Sequence, residues 1–203
     1  MKIRTFFTAL ILLLLVACSD SVPPLLPIPA DATILAFGDS LTYGTGTTAQ
    51  SSYPAVLEQL SGRTVINAGI PGEQTPAGLA RLPRALDEYN PQLLIICHGG
   101  NDMLRKKSME TMQANLEQMI QLAHERGIQV IMLGVPRPAL FGLESAENYY
   151  AVAENTGVAL EDEVIPEVLS DSALKSDQVH PNAKGYRMIA EAVYRLLQQV
   201  GAL

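Results

Sequence analysis

A serine stands just beyond the apolar run Ile34-Leu35-Ala36-Phe37, in Gly38-Asp39-Ser40. A free hydroxyl is a weak nucleophile, and it needs an adjacent base before it can attack an acyl carbon. The chain offers three histidines for that task. His124, beside Glu125 and Arg126, reads as part of a solvated helix face. His98 ends a continuously apolar run and reads as an imidazole at the edge of the core, held by backbone. His180 lies in a loop ahead of Pro181, with Asp177 three residues upstream. A carboxylate so placed can accept from Nδ1–H, fix the tautomer and stabilise the imidazolium. Histidine titrates near ~6.5 when unperturbed, so it is suited to take a serine proton near neutrality. Attack also creates an oxyanion, which must be met by donors. The backbone N–H groups of Ser40 and Gly69 and the side-chain amide of Asn101, in Gly99-Gly100-Asn101-Asp102, are the candidates. Two other readings stand beside this one. Asp39 and Asp102 are a pair of carboxylates that would suit a Mg²⁺-dependent phosphoesterase, and Asp177 to His180 taken alone fits the first turn of a helix.

These side chains act together only if the elements between them bring them to one place. From Thr33 onward, apolar runs alternate with amphipathic segments, the signature of a parallel α/β sheet. Strands are expected at residues 33–37, 63–67, 92–97 and 128–133, with a weak fifth at 158–160. Helices are expected from Ser52 to Leu60 and at 75–89, 108–126, 145–155 and 182–199. The third strand is the most continuously apolar and is expected at the centre, buried on both faces. Gly38 reads as the site of a tight turn, and Gly134-Val135-Pro136-Arg137-Pro138 as the start of a long irregular loop. In an open parallel sheet, the loops at the carboxyl ends of the strands share one crevice. The loops holding Ser40, Gly69, Asn101 and the Asp177/His180 pair are therefore expected to converge.

Composition narrows the partners. The chain has 203 residues, 48% hydrophobic and 17% charged, which fits one folded domain. Residues 1–17 begin with Lys2 and Arg4 and continue in an apolar run too short to span a membrane, so they read as a signal peptide. Leu15-Val16-Ala17-Cys18 resembles the lipobox of bacterial lipoproteins. That resemblance implies a lipid on Cys18, which would become the first mature residue and tether the protein to a membrane. Ser19 rather than aspartate follows it, which leans toward the outer membrane with the domain facing the periplasm. Residues 18–31 contain Pro23, Pro24, Pro27 and Pro29 and read as an extended linker, leaving 32–203 as the domain. Loss of Lys2 and Arg4 would carry the formal charge from −7 to −9. Such a surface repels phosphate backbones and argues against nucleic acid as a partner. With Cys97 alone besides Cys18, neither a disulfide framework nor a cysteine metal site can be built.

Gly38-Asp39-Ser40-Leu41, Asn67-Ala68-Gly69, Gly99-Gly100-Asn101-Asp102 and Asp177-Gln178-Val179-His180-Pro181 resemble, in order, the four blocks of the GDSL/SGNH hydrolase family. Gly78-Leu79-Ala80-Arg81-Leu82-Pro83 is similar to a helix of its bacterial arylesterase, acyl-CoA thioesterase and lysophospholipase I group. The resemblance implies an α/β fold, a three-layer α/β/α sandwich around a flavodoxin-like parallel five-stranded sheet. It implies Ser40 as nucleophile, His180 as base and Asp177 as its orienter, with Ser40, Gly69 and Asn101 as the oxyanion hole. It makes Asp39 and Asp102 structural, each bonding the backbone of its own loop, and calls for no metal or other cofactor. In thioesterase-like relatives the loop after the fourth strand lines the acyl groove, so Leu140 and Phe141, with Tyr149 and Tyr150, read as an apolar wall. Asn67, Glu73 and Arg105 fall near the cleft rim with no assigned part. The expected function is a serine esterase acting on aryl or short- to medium-chain acyl esters, thioesters or lysophospholipids. A carbohydrate O-deacetylase of the same fold and a non-catalytic envelope-binding lipoprotein are the alternatives. Acyl-chain preference and oligomeric state are left open.

Overall fold

A computed structural model describes residues 24–139 and 142–203. The expected signal peptide, the lipidation site Cys18 and the groove residues Leu140 and Phe141 lie outside the described residues. The chain runs β1 (Thr33–Gly38), α1 (Ser40–Tyr43), α2 (Tyr53–Ser61), β2 (Thr64–Gly69), α3 (Thr75–Tyr89), β3 (Leu93–Cys97), α4 (Gly100–Leu104) and α5 (Met109–His124). It continues through β4 (Gln129–Leu133), β5 (Pro136–Ala139), β6 (Gly142–Ser145), α6 (Glu147–Thr156), β7 (Ala159–Glu161), α7 (Val164–Ser170) and α8 (Ala183–Gln199).

Five strands form one parallel sheet in the order β2-β1-β3-β4-β7. Every residue of β3 is buried, as its unbroken apolar character requires of a strand covered on both faces. Helices α2, α7 and α8 pack as one layer and α3, α5 and α6 as the other. The last helix shows why: Tyr186, Ile189, Ala190, Val193 and Leu197 recur at helical spacing and are all buried. From β1 the chain first crosses to β2 on one side and then to β3 on the other, so a crevice opens at the carboxyl ends of these strands. No helix among the described residues is long and apolar enough to cross a membrane.

The segment after β4 differs from the expectation of an irregular loop. β5 and β6 pair as an antiparallel hairpin, with Arg137 opposite Glu144. Pro136 and Pro138 hide it in the sequence, because proline is excluded from central strands but tolerated in an edge pair of this kind. Arg137 is held by Glu147 at 2.8 Å and Glu144 at 3.7 Å.

At the end of β7, the Glu161 carboxylate accepts from the Val164 N–H, 3.2 Å from each oxygen. Burial pushes its pKa up from 4.5 to about 7. Between those values the folded chain holds a proton that the unfolded chain has lost, so stability falls as pH rises through the window and levels off above it. Glu161→Gln keeps an acceptor for Val164 and removes the penalty. Calorimetry should find it more stable than the parent by on the order of 2 kcal/mol at pH 8 and no different at pH 4. An equal shift at both values would refute the assignment.

Candidate active site

The nucleophile candidate is set by the crowded junction of β1 and β3. A Cβ on Gly38 would lie 2.1 Å from the Cys97 carbonyl oxygen and 2.4 Å from Thr42 Oγ1. Gly38 has no positive φ, so close approach, and not the tight turn expected, is what demands glycine there. Asp39 caps α1, its Oδ1 accepting from the Leu41 N–H at 3.0 Å, and Ser40 opens that helix just past the carboxyl end of β1. Tyr186, reaching across from α8, donates to the Thr45 carbonyl at 2.9 Å and pins the following loop.

His180 arrives from the other end of the chain. Its Nε2 lies 3.0 Å from Ser40 Oγ, and its Nδ1 lies 2.8 Å from Asp177 Oδ2. Asp177 Oδ1 accepts from the backbone N–H groups of Val179 and His180, both at 2.9 Å. The carboxyl is held below its ordinary range first by the Val179 N–H and then by the imidazole. With its oxygens committed in this way, the carboxylate favours the tautomer that carries the proton on Nδ1 and leaves Nε2 free to accept from serine. The ring is largely covered, while Asp177 is 52% exposed. The loop is closed below the ring by Ser176 N–H donating to the His180 carbonyl at 3.0 Å, and Asn182 caps α8 immediately after it.

Asn101 stands across the cleft. Its Nδ2 donates to Asp39 Oδ2 at 3.0 Å, which commits one amide hydrogen and leaves the second for a ligand. Burial pushes the Asp39 carboxyl upward against the pull of these donors. Gly69, expected as a further oxyanion donor, is a correction. Its N–H is already given to Asn67 Oδ1 at 3.0 Å. Its α-carbon packs against the Thr42–Tyr43 backbone, with Tyr43 N 2.1 Å from where a Cβ would stand, and it does not line the cleft that holds Ser40. Gly72 lines that cleft instead. It has φ +78°, and the Ile70 carbonyl accepts from the Glu73 N–H at 3.1 Å. Because proline holds φ at about −65°, Pro71-Gly72 forms a type II turn with glycine at its left-handed position. The Pro-Gly pair was the turn signal in the sequence.

The expected roles of the two paired aspartates also separate. Asp102 does not bond its own loop; it accepts from Thr75 N at 2.9 Å and Thr75 Oγ1 at 2.8 Å, tying α4 to the start of α3. Asp39 and Asp102 thus serve different networks. Among the described residues no group of three or more His, Cys, Asp or Glu side chains is arranged to hold a metal ion.

The cleft has a volume of about 390 Å³, and Leu41, Met103, Leu104, Val135, Leu169 and Val179 supply its apolar walls. Tyr149 and Tyr150 are not part of them. Tyr149 is buried with its hydroxyl donating to the His98 carbonyl at 2.8 Å, and Tyr150 donates to Asp162 at 2.8 Å. His124 is exposed, as read from its neighbours, whereas His98 is fully buried and contacts the Glu73 side chain as well as backbone. Arg105 bonds Gln74 at 3.0 Å.

Known proteins resemble this chain over most of its length. The model of the GDSL-like lipase/acylhydrolase family matches residues 36–188. An arylesterase of Vibrio mimicus is 33% identical, covering 81% of this chain and 87% of the relative. Thioesterase 1/protease 1/lysophospholipase L1 of Escherichia coli (strain K12) is 29% identical, covering 82% and 83% respectively. The psychrotrophic esterase EstA from Pseudoalteromonas sp., in a structure inhibited by monoethylphosphonate, superposes with a TM-score of 0.74 at 25% identity over 83% of this chain and 98% of its own.

Proposed function

This chain belongs to the GDSL-like lipase/acylhydrolase family and is a carboxylic ester hydrolase, and on that footing we propose that it cleaves aryl and short- to medium-chain acyl esters through an acyl-enzyme on Ser40. His180 Nε2 takes the Ser40 proton as Oγ attacks the ester carbonyl, and the carbonyl π pair moves onto oxygen. The protonated ring then gives that proton to the departing alkoxide or phenoxide as the C–O bond breaks. Water, deprotonated by the same nitrogen, attacks the acyl-enzyme and releases the acid and the serine. Asp177 holds the Nδ1 proton throughout. The Ser40 N–H, the free hydrogen of the Asn101 amide and the Gly72 N–H meet the oxyanion, Gly72 replacing Gly69 in that role.

The observation that carries this reading is the unbroken hydrogen-bond chain from Ser40 Oγ through the imidazole to Asp177, opening on a cleft walled by hydrocarbon. Each methylene buried there contributes about 0.8 kcal/mol, which favours an acyl chain over a sugar. Thioesters and lysophospholipids present the same carbonyl and belong to the proposed range. The proposal extends to export by residues 1–17 and a membrane tether at Cys18. A fluorophosphonate should form one adduct per chain, on Ser40, and the labelled protein should sediment with membranes unless Cys18 is changed by Cys18→Ser. No adduct at Ser40 would leave only a binding module, and a labelled Cys18→Ser protein still in the membranes would remove the lipid.

A further inference from the structure

Glu73 directly follows Gly72 and is the last residue of the Pro-Gly turn. Its side chain turns away from the cleft and is 7% exposed. Arg81 donates to it twice, Nε to Oε1 at 3.0 Å and Nη2 to Oε2 at 2.7 Å. His98 Nε2 reaches Oε2 at 3.2 Å. Because the Gly99 N–H donates to His98 Nδ1 at 3.1 Å, the ring proton resides on Nε2 and the His98–Glu73 contact is a true donor–acceptor pair. Burial works to raise the Glu73 pKa, but the His98 and Arg81 hydrogen bonds prevail and hold it below its ordinary value. Arg81 also donates to the Ala68 carbonyl at 3.1 Å, and its guanidinium carbon lies 4.0 Å from the centre of the Phe37 ring. The cluster therefore joins the ends of β1, β2 and β3 and the body of α3 to one residue of the turn.

A turn closed by the same end-to-end hydrogen bond exists in two forms, type I and type II. They differ by rotation of the central peptide, which reverses the direction of its N–H. In this turn that peptide is Pro71–Gly72, and its N–H belongs to Gly72. The Ile70 end is fixed by its own N–H donating to the Gly38 carbonyl at 3.0 Å. The Glu73 end is fixed by the buried cluster.

We propose that Arg81, Glu73 and His98 form a positioning device: the positive φ of Gly72 sets the type II form, and the cluster fixes where that turn stands against the cleft, so that the Gly72 N–H is aimed at the developing oxyanion. The inference rests on the reading of Gly72 as an oxyanion donor. Glu73 and His98 touch no substrate and act only through the turn.

The test compares Glu73→Ala with the parent on p-nitrophenyl butyrate and with butylboronic acid, whose tetrahedral adduct on serine presents the same oxygen. kcat should fall roughly 10–100-fold with KM within about twofold, since the lost contact is made only in the transition state. The boronate inhibition constant should rise by the same factor. Loss of thermal stability with kcat and boronate affinity unchanged would make the cluster merely structural and overturn the proposal. Should Glu73→Ala not fold, His98→Leu, which leaves both Arg81 bonds, should show the same split at several-fold, and an unchanged kcat would again overturn it. Gly72→Ala separates this proposal from the reading beneath it. Its Cβ has room, with Arg105 Nη2 the nearest atom at 3.5 Å, so only the positive φ is lost. It should cost about 10²–10³-fold in kcat. A fully active Gly72→Ala enzyme would sink the oxyanion reading itself. An impaired Gly72→Ala beside an unimpaired Glu73→Ala would sink only the positioning role.

Discussion

Asp177→Asn should lower kcat for p-nitrophenyl butyrate further than Asp177→Ala does. In the asparagine variant, Oδ1 keeps the two backbone N–H donors now at 2.9 Å. The amide nitrogen must then occupy the place of Oδ2, 2.8 Å from His180 Nδ1. A donor in that position forces Nδ1 to accept, so the ring proton moves to Nε2, where it faces Ser40. That tautomer cannot take the serine proton, and the expected loss is on the order of 10³–10⁴-fold. Alanine presents no opposing donor. The site of Asp177 is half open to solvent, so water can accept from Nδ1–H and the productive tautomer remains accessible, at about 10²-fold loss. Steady-state kinetics at pH 8 on both variants decides it, and equal losses, or a larger one for alanine, would sink the tautomer argument. Because the Asp177 pKa is depressed, its contribution to folding is present above the ordinary carboxylate value and is lost only as pH falls through the lower folded one. Neither variant's kinetics at pH 8 should therefore be complicated by titration of the parent carboxylate.

Ser40→Ala should produce the largest change of all, a fall in kcat on the order of 10⁴–10⁶-fold. The hydroxyl makes one hydrogen bond among the described residues, to His180, and the backbone at Ser40 is held independently by Asp39 and α1. The melting temperature should accordingly stay within a few degrees of the parent. KM should change little, because the apolar walls that bind the acyl chain remain. The residual rate should still exceed that in water, since the donors around the oxyanion persist. An alanine enzyme with more than a tenth of the parental kcat would show that Ser40 is not the nucleophile.

The order of elements and the local shape of the reactive loops follow from sequence by itself. The apolar run 93–97 admits only a strand covered on both sides, and α3 begins and ends at the residues its Thr75-Pro76 start and Asn90-Pro91 stop dictate. Asp177 and His180 are three residues apart, so one turn of backbone is enough to bring carboxylate, ring and two N–H groups together. Such short-range features need no knowledge of the rest of the chain. Which backbone N–H remains available at the cleft is of another kind. Asn67-Ala68-Gly69 looked like the donor block, but β2 extends to Gly69 and Asn67 consumes its N–H. In the proposed mechanism the donor moves three residues on, to Gly72, in a turn that Pro71-Gly72 signals in sequence but whose place at the cleft depends on where β2 ends. The contact of His180 with Ser40 spans 140 positions, and the meeting of Glu73, Arg81 and His98 depends on three elements packing at the carboxyl ends of the strands. Periodicity specifies which face of an element is apolar. It does not specify which polar group on a neighbouring element will lie opposite a given side chain, and that is decided by strand order and packing.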